Sequence, residues 1–172
     1  MTTETKTRDD RTEEILSTVE DEYGFRPNLI EELVEAPAAA RVYLAGQDAM
    51  ADSSLSPAQQ QAVQLTVAIH NDCHYCDAAH TSLGGQFGIE AEALDAIRDG
   101  GIPGVPELRG VVRATRLVLE KEGWLEESDL SELADEGIDR QQLYEVIAFV
   151  ALKTLSNYVN HIADTEIDPQ FS

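Results

Sequence analysis

Apolar residues recur along the chain at the spacing of amphipathic helices. Ile15, Leu16 and Val19 would lie on one face of a first helix, which we expect Gly24 to end. A short second helix follows, with Asn28 as its expected N-cap. No alternating pattern of useful length and no hairpin turn signal occurs, so strands are not expected. The pattern therefore predicts an all-α fold.

Two helices near the middle of the chain have clear start and stop signals. In the first, Ser56 is the expected N-cap, Pro57 takes the first helical position, and Gln59 completes a capping box. We expect the helix that follows to end where Gly84-Gly85 interrupts it. These signals are local, so they predict helix starts better than they predict packing.

The last predicted helix is the longest. Asp139 is its expected N-cap, and the segment runs for about six turns with an apolar middle that we expect to be buried. The chain length suits one domain with its own core. We therefore predict a flexible N-terminus over residues 1–10 and a single all-α helical bundle over residues 11–172. The long apolar helix also favours assembly of several copies into a homo-oligomer.

The charge of the chain excludes several partners. It has 33 acidic against 12 basic residues, a net charge of −21, which disfavours nucleic acid and anionic membranes. The excess is compatible with an ordinary acidic surface or with one suited to high salt. The first 15 residues do not resemble a secretory signal, and no apolar run approaches the roughly 20 residues that span a bilayer. We therefore expect a cytoplasmic protein whose thiols are kept reduced.

The candidate chemistry lies in the stretch HNDCHYCDAAH, which contains both cysteines of the chain. Cys76 and His80 are four residues apart on one helix face, so His80 could take the proton from Cys76. If Cys73 begins the helix, the free N–H groups there would stabilise a Cys73 thiolate. Residues 51–89 contain no lysine or arginine. A fixed cation acting on these thiols must therefore come from elsewhere in the fold.

Three interpretations of the two cysteines remain open at this point. They could form a redox pair, which requires no metal or organic cofactor. They could provide half of a Cys₂His₂ metal site with His70 and His80. They could also be two small core residues, because free cysteine is often buried.

The segment SLSPAQQQAVQLTVAIHNDCHYCDAAHTSLGGQFGI resembles the core motif of the carboxymuconolactone decarboxylase superfamily, in its alkylhydroperoxidase D-like branch. In that branch a helix opening with Leu-Ser-Pro leads into Cys-x-x-Cys-x-x-x-His on the next helix. The flanking segments are also similar, so the resemblance covers roughly residues 20–172. It implies an all-helical fold that commonly assembles into trimers or hexamers.

The resemblance also implies roles for individual residues. Cys76 would be the thiol that attacks a hydroperoxide and becomes a sulfenic acid, and Cys73 would donate a proton and then resolve it to a disulfide. His80 would belong to a proton relay, and an external dithiol would reduce the disulfide. The decarboxylase branch generally lacks the cysteine pair, which argues against a lyase acting on a lactone.

The chain departs from the family pattern at Gln61, twelve residues before Cys73, where the relay has a glutamate. Glutamine cannot take a proton at neutral pH, so the relay lacks its carboxylate or another group replaces it. His70 and His74 are local candidates for that group, and His161 is a distant one. Because a general base contributes roughly 10²–10⁴-fold, a weak peroxidase or a thiol–disulfide role is also compatible with the sequence.

Overall fold

The structure, a computed structural model, describes residues 7–171 apart from the side chain of Arg8. This part of the chain contains nine α-helices and one short 3₁₀ helix, and no strand. The helices are α1 Arg8–Tyr23, α2 Asn28–Leu33, α3 Pro37–Ala51, α4 Pro57–His70, α5 His74–Gln86, α6 Ala91–Arg98, α7 Pro106–Glu120, α8 Glu127–Asp135 and α9 Arg140–Ala163, followed by the 3₁₀ helix Pro169–Phe171. The predicted all-α fold is confirmed. None of the helices in the described range has the length and apolar character needed to cross a membrane.

The predicted starts of α4 and α9 are confirmed. The Ser56 hydroxyl accepts from the backbone N–H of Gln59, and the Gln59 side chain accepts from the backbone N–H of Ser56. Asp139 and Gln142 form the same reciprocal pair at the start of α9. Each cap satisfies backbone donors that the first turn of a helix leaves free, and such a cap contributes about 1 kcal/mol.

Two predicted helix boundaries were wrong. Pro27, not Asn28, is the N-cap of α2, and the Asn28 side chain instead donates to the backbone oxygen of Glu166 over 2.9 Å. Helix α5 does not stop at Gly84 but continues to Gln86. A Cβ atom at Gly84 would lie 2.9 Å from Leu94, so this glycine lets α6 approach α5 closely.

The N-terminal segment is described only from residue 7. Helix α1 begins at Arg8, and Thr7 and Asp10 form its capping box. The last three residues of the segment predicted to be flexible are therefore helical, and residues 1–6 lie outside the described range. The domain boundary at residue 11 stays a prediction.

Helix α4 lies at the centre of the bundle and packs against α5, α6, α7 and α9. One apolar cluster joins α4 to α6, α7, α8 and α9. A second cluster joins α1, α2 and α3 to the end of α4 and the start of α5, and it includes Cys73, Tyr75 and Cys76. The cysteine motif therefore lies inside the packed part of the protein.

The C-terminal tail folds back over the start of α5. The Tyr75 hydroxyl donates to the buried carboxylate of Asp168 over 2.5 Å, and Asp168 also accepts from the backbone N–H of Asn28 over 3.2 Å. The Phe171 ring packs edge-on against the rings of Tyr75 and Phe25. These contacts fix the tail as one wall of the cavity described below.

Gly110 in α7 provides a test of the close packing between α7 and the α8–α9 turn. A Cβ atom there would lie 2.9 Å from Ile138 Cγ1 and 3.0 Å from the backbone oxygen of Glu136, which cannot rotate away. Gly110→Ala should therefore lower the free energy of unfolding by about 1–3 kcal/mol, as overpacking does. Urea denaturation followed by circular dichroism measures the effect.

Gly85 is the matched control, because a Cβ atom there meets nothing within 4 Å. Gly85→Ala should leave the stability unchanged or raise it by up to about 1 kcal/mol, since alanine favours a helix. A Gly110→Ala variant as stable as Gly85→Ala would contradict the packing described here.

Candidate active site

The two cysteines are held by the start of α5 and by one residue of α9. Cys73 is the N-cap of α5, Cys76 lies one turn into the helix, and both are free thiols with less than about 3% exposure. The Asn160 side-chain amide lies 3.3 Å from Cys76 Sγ and 3.7 Å from Cys73 Sγ, and it donates to both. The amide therefore holds the two sulfurs side by side.

The two thiols differ strongly in acidity. The Cys73 thiol donates a hydrogen bond to Cys76, and this bond is the main reason that the pKa of Cys76 falls to about 6. Burial opposes the shift, while the positive charge of Lys153 and the amides of Asn157 and Asn160 support it. The Asn157 nitrogen acts at longer range, because it forms no hydrogen bond of ordinary geometry. At neutral pH the thiolate therefore lies on Cys76.

Cys73 retains its proton. Its hydrogen bond to Cys76, followed by burial, raises the pKa of Cys73 well above its ordinary value. The expectation that the helix terminus would stabilise a thiolate at Cys73 was therefore wrong. A buried N-cap thiol that faces a thiolate keeps its proton because two adjacent negative charges would repel each other.

His80 and Gln61 are in direct contact. His80 Nδ1 lies 2.8 Å from Gln61 Oε1, and both side chains are buried. An amide oxygen only accepts, so Nδ1 carries the proton and Nε2 retains a lone pair. Burial, followed by the charge of Lys153, lowers the pKa of His80 well below 6.5, so this ring is neutral at neutral pH. Gln61 therefore fixes the orientation of His80, which lines the same cavity as Cys76.

The other three histidines are exposed: His70, His74 and His161. His74 and His161 line a surface groove beside Cys73 and do not reach the cavity at Cys76. In residues 7–171, no three His, Cys, Asp or Glu side chains converge as metal ligands would. The Cys₂His₂ set with His70 is therefore not assembled in the described structure.

The sequence interpretation missed Lys153 and Tyr43. Lys153 is only 2% exposed, and its Nζ lies 3.5 Å from the Tyr43 hydroxyl and 5.8 Å from the centre of that ring. A signal was present in α9, where Lys153, Asn157 and Asn160 follow one another at helical spacing. Polar residues on the buried face of an apolar helix indicate a functional surface or a hydrogen-bond network.

The two sulfurs face different openings. Cys76 borders a cavity of about 450 Å³ whose walls include Phe25, Leu29, Leu83 and Phe171. The polar groups that line the same cavity include Gln61, Gln64, His80 and Lys153. Cys73 borders a separate polar groove of about 380 Å³. A cavity of this size with apolar walls and a few polar groups is typical of a small-molecule site.

The sequence profile of the Carboxymuconolactone decarboxylase family matches residues 31–117. The chain belongs to this family. The matched region contains Gln61, both cysteines and His80, but it ends before α9. The family relationship therefore covers the cysteine motif, whereas Lys153 and the two asparagines of α9 lie outside the match.

Solved structures with the same fold cover nearly the whole chain. A peroxidase-related protein with an alkylhydroperoxidase AhpD core from Ralstonia eutropha JMP134 has a TM-score of 0.81 at 21% identity, covering 94% of this chain and 87% of its own. A peroxidase-related protein from Silicibacter sp. TM1040 has a TM-score of 0.79 at 14% identity, and the match covers 97% of this chain and 90% of its own. The debrominase Bmp8 in complex with 2,3,4-tribromopyrrole has a TM-score of 0.71 at 14% identity, and the match covers 99% of this chain and 94% of its own. At these identities the similarity shows the alkylhydroperoxidase D-like fold alone. No curated protein matches the chain.

Proposed function

We propose that the protein is a cysteine-dependent oxidoreductase that reduces hydroperoxides through Cys73 and Cys76. The observation that carries the proposal is the asymmetry of the pair: a Cys76 thiolate at an apolar cavity, beside a protonated Cys73 thiol. A nucleophilic thiol needs a lowered pKa and access to substrate, and Cys76 has both. Membership of the carboxymuconolactone decarboxylase family and the alkylhydroperoxidase D-like fold support an enzyme of this kind.

The reaction begins with attack of the Cys76 thiolate on the terminal oxygen of the hydroperoxide. The S–O bond forms as the O–O bond breaks, and the departing alkoxide takes the proton of the Cys73 thiol. The Cys73 thiolate then attacks the sulfur of the Cys76 sulfenic acid. The S–S bond forms as the S–O bond breaks, and hydroxide leaves and takes a proton from solvent. These steps oxidise the two thiols to a disulfide and reduce the hydroperoxide to an alcohol and water.

The neighbouring side chains support this chemistry in distinct ways. The Asn160 amide donates to both sulfurs and so holds them next to each other for disulfide formation. Neutral His80 offers Nε2 as a hydrogen-bond acceptor. No step requires a metal or an organic cofactor. An external dithiol would complete the cycle by thiol–disulfide exchange, and the groove beside Cys73 provides its route of approach.

We further propose that the protein works as a homotrimer or homohexamer in the cytoplasm, where thiols are kept reduced. Four large side chains on the outer face of α9 are exposed: Tyr144, Ile147, Tyr158 and Ile162. None of them carries a charge, which favours contact between copies of a chain whose surface is otherwise strongly acidic.

Mass spectrometry of the native reduced protein tests the proposed reaction. One equivalent of cumene hydroperoxide should convert the two free thiols to a Cys73–Cys76 disulfide within seconds, whereas a sample without peroxide keeps both thiols. Thiols that stay free, or that react as slowly as free cysteine, would contradict the peroxidase. A disulfide that forms with an oxidised dithiol but not with hydroperoxide would instead indicate a thiol–disulfide oxidoreductase.

A further inference from the structure

Lys153 is a buried lysine without a carboxylate partner in the described part of the chain. Lysine is almost never fully buried unless it is paired, because removing an ammonium group from water is costly. The polar contact shown for its ammonium group is the Tyr43 hydroxyl at 3.5 Å, which is neutral when protonated. An anion is therefore expected within reach of Lys153, and Cys76 borders the same cavity.

We propose that Lys153 is the fixed positive charge that keeps Cys76 ionised, and that Tyr43 holds its ammonium group in place. Lys153 is then a positioning residue for the reaction proposed above, in a site where Gln61 cannot accept a proton. The ion pair does not depend on which substrate the thiolate attacks. Its contribution to peroxide reduction rests on the proposed function.

The groups around Cys76 leave Lys153 as the source of charge. The titratable side chains that face Cys76 or line its cavity come from four helices: Tyr23 from α1, Tyr43 from α3, Cys73, Tyr75 and His80 at α5, and Lys153 from α9. His80 is neutral because burial and the nearby ammonium group both disfavour a second positive charge. The asparagine amides add dipoles but no charge. Among the described residues that line the cavity, Lys153 is therefore the fixed cation.

The ammonium form of Lys153 persists in spite of its burial. Burial alone would lower the pKa of Lys153, but the neighbouring Tyr43 and Cys76 outweigh it and raise the pKa. The lysine and the thiolate thus stabilise each other's ionised forms. This ion pair needs no proton acceptor at position 61. Cys76 can therefore ionise although Gln61 stands where the family has a glutamate.

The pH dependence of Cys76 alkylation tests the role of Lys153. Iodoacetamide reacts with the thiolate, and mass spectrometry assigns the adduct to Cys76. In the native protein the rate should rise with a midpoint of about 6. Lys153→Met should move the midpoint upward by about 1–3 pH units, because an opposite charge is lost. At pH 6.5 the rate should then fall by about 3-fold for a shift of one unit and by about 200-fold for a shift of three.

Two further variants separate charge from packing. Lys153→Arg keeps the positive charge and should recover most of the low midpoint. Lys121→Met removes the same charge from the surface, where Lys121 pairs with Asp129 at 2.6 Å, and should leave the midpoint unchanged. A folded Lys153→Met protein with the native midpoint would overturn the proposal.

Titration of the native protein covers the case in which Lys153→Met does not fold. The ultraviolet absorbance of the thiolate should appear with a midpoint near 6 in the reduced protein. A first midpoint near the ordinary thiol value of about 8.5 would overturn the proposal without any variant. Neither measurement uses peroxide. A low midpoint that moves upward in Lys153→Met, together with absent peroxide turnover, would therefore support the role of Lys153 and reject the peroxidase.

Discussion

Cys76→Ser should abolish the consumption of hydroperoxide by the reduced protein. A serine hydroxyl does not ionise near neutral pH and forms no counterpart of the sulfenic acid, so the attacking group is lost. We expect turnover to fall by at least about 1,000-fold, as it does when other enzymes lose their nucleophile. A peroxide assay with dithiothreitol as the reductant measures the loss.

The control for Cys76→Ser is the fold of the variant. Cys76 is 1% exposed, so circular dichroism and thermal unfolding must first show that the smaller, more polar side chain is accommodated. The reactivity of Cys73 provides a second check, because its thiol should remain free after peroxide treatment. A folded Cys76→Ser protein that consumes peroxide at the native rate would reject Cys76 as the nucleophile.

Cys73→Ser should stop the cycle after one reaction. The serine hydroxyl can still donate a hydrogen bond to Cys76, so the thiolate should form and attack peroxide once. No thiol then lies beside the sulfenic acid, and the advantage of an intramolecular attack is lost. We expect a dimedone adduct on Cys76 after one equivalent of peroxide, and turnover with a dithiol at least about tenfold below the native rate.

Cys73→Ala separates the two roles of Cys73. Alanine removes both the resolving thiol and the hydrogen bond, which is the largest cause of the lowered pKa of Cys76. The first reaction with peroxide should therefore be slower near pH 6 in Cys73→Ala than in Cys73→Ser. A Cys73→Ser protein with native turnover and no dimedone adduct would show that Cys73 does not resolve the sulfenic acid.

The candidate site residues differ in how well the sequence predicted their positions. Spacing indicated both cysteines and His80 as candidates, and the roles that the family resemblance implied for them stay predictions. The structure places Gln61 against His80. His74 was also a candidate, but it is exposed in the groove beside Cys73 and does not contact the thiolate. Exposure of a residue at the start of a helix depends on what packs against that turn, which local spacing does not show.

Errors in the predicted helices have a common cause. Gly84-Gly85 has the composition of a helix stop, yet α5 continues because packing against α6 favours a residue without a side chain at Gly84. Asn28 has the side chain of an N-cap, yet it donates to the distant Glu166 backbone. In both cases a contact with a remote segment outweighed a local preference of about 1 kcal/mol or less.

The sequence by itself determined the helices, most of their starts and the position of the candidate cysteine pair. Apolar spacing and N-terminal capping act between residues within one turn of each other, so they can be recognised without the fold. Only the tertiary structure showed the distant groups that act on the acidity of Cys76 beside the local hydrogen bond from Cys73. Asn160 donates to Cys76 and Lys153 lines the same cavity, both from α9 near the other end of the chain, and the tail over α5 provides one wall of that cavity. Acidity depends on the charges, dipoles and burial around a group, and these were set by packing.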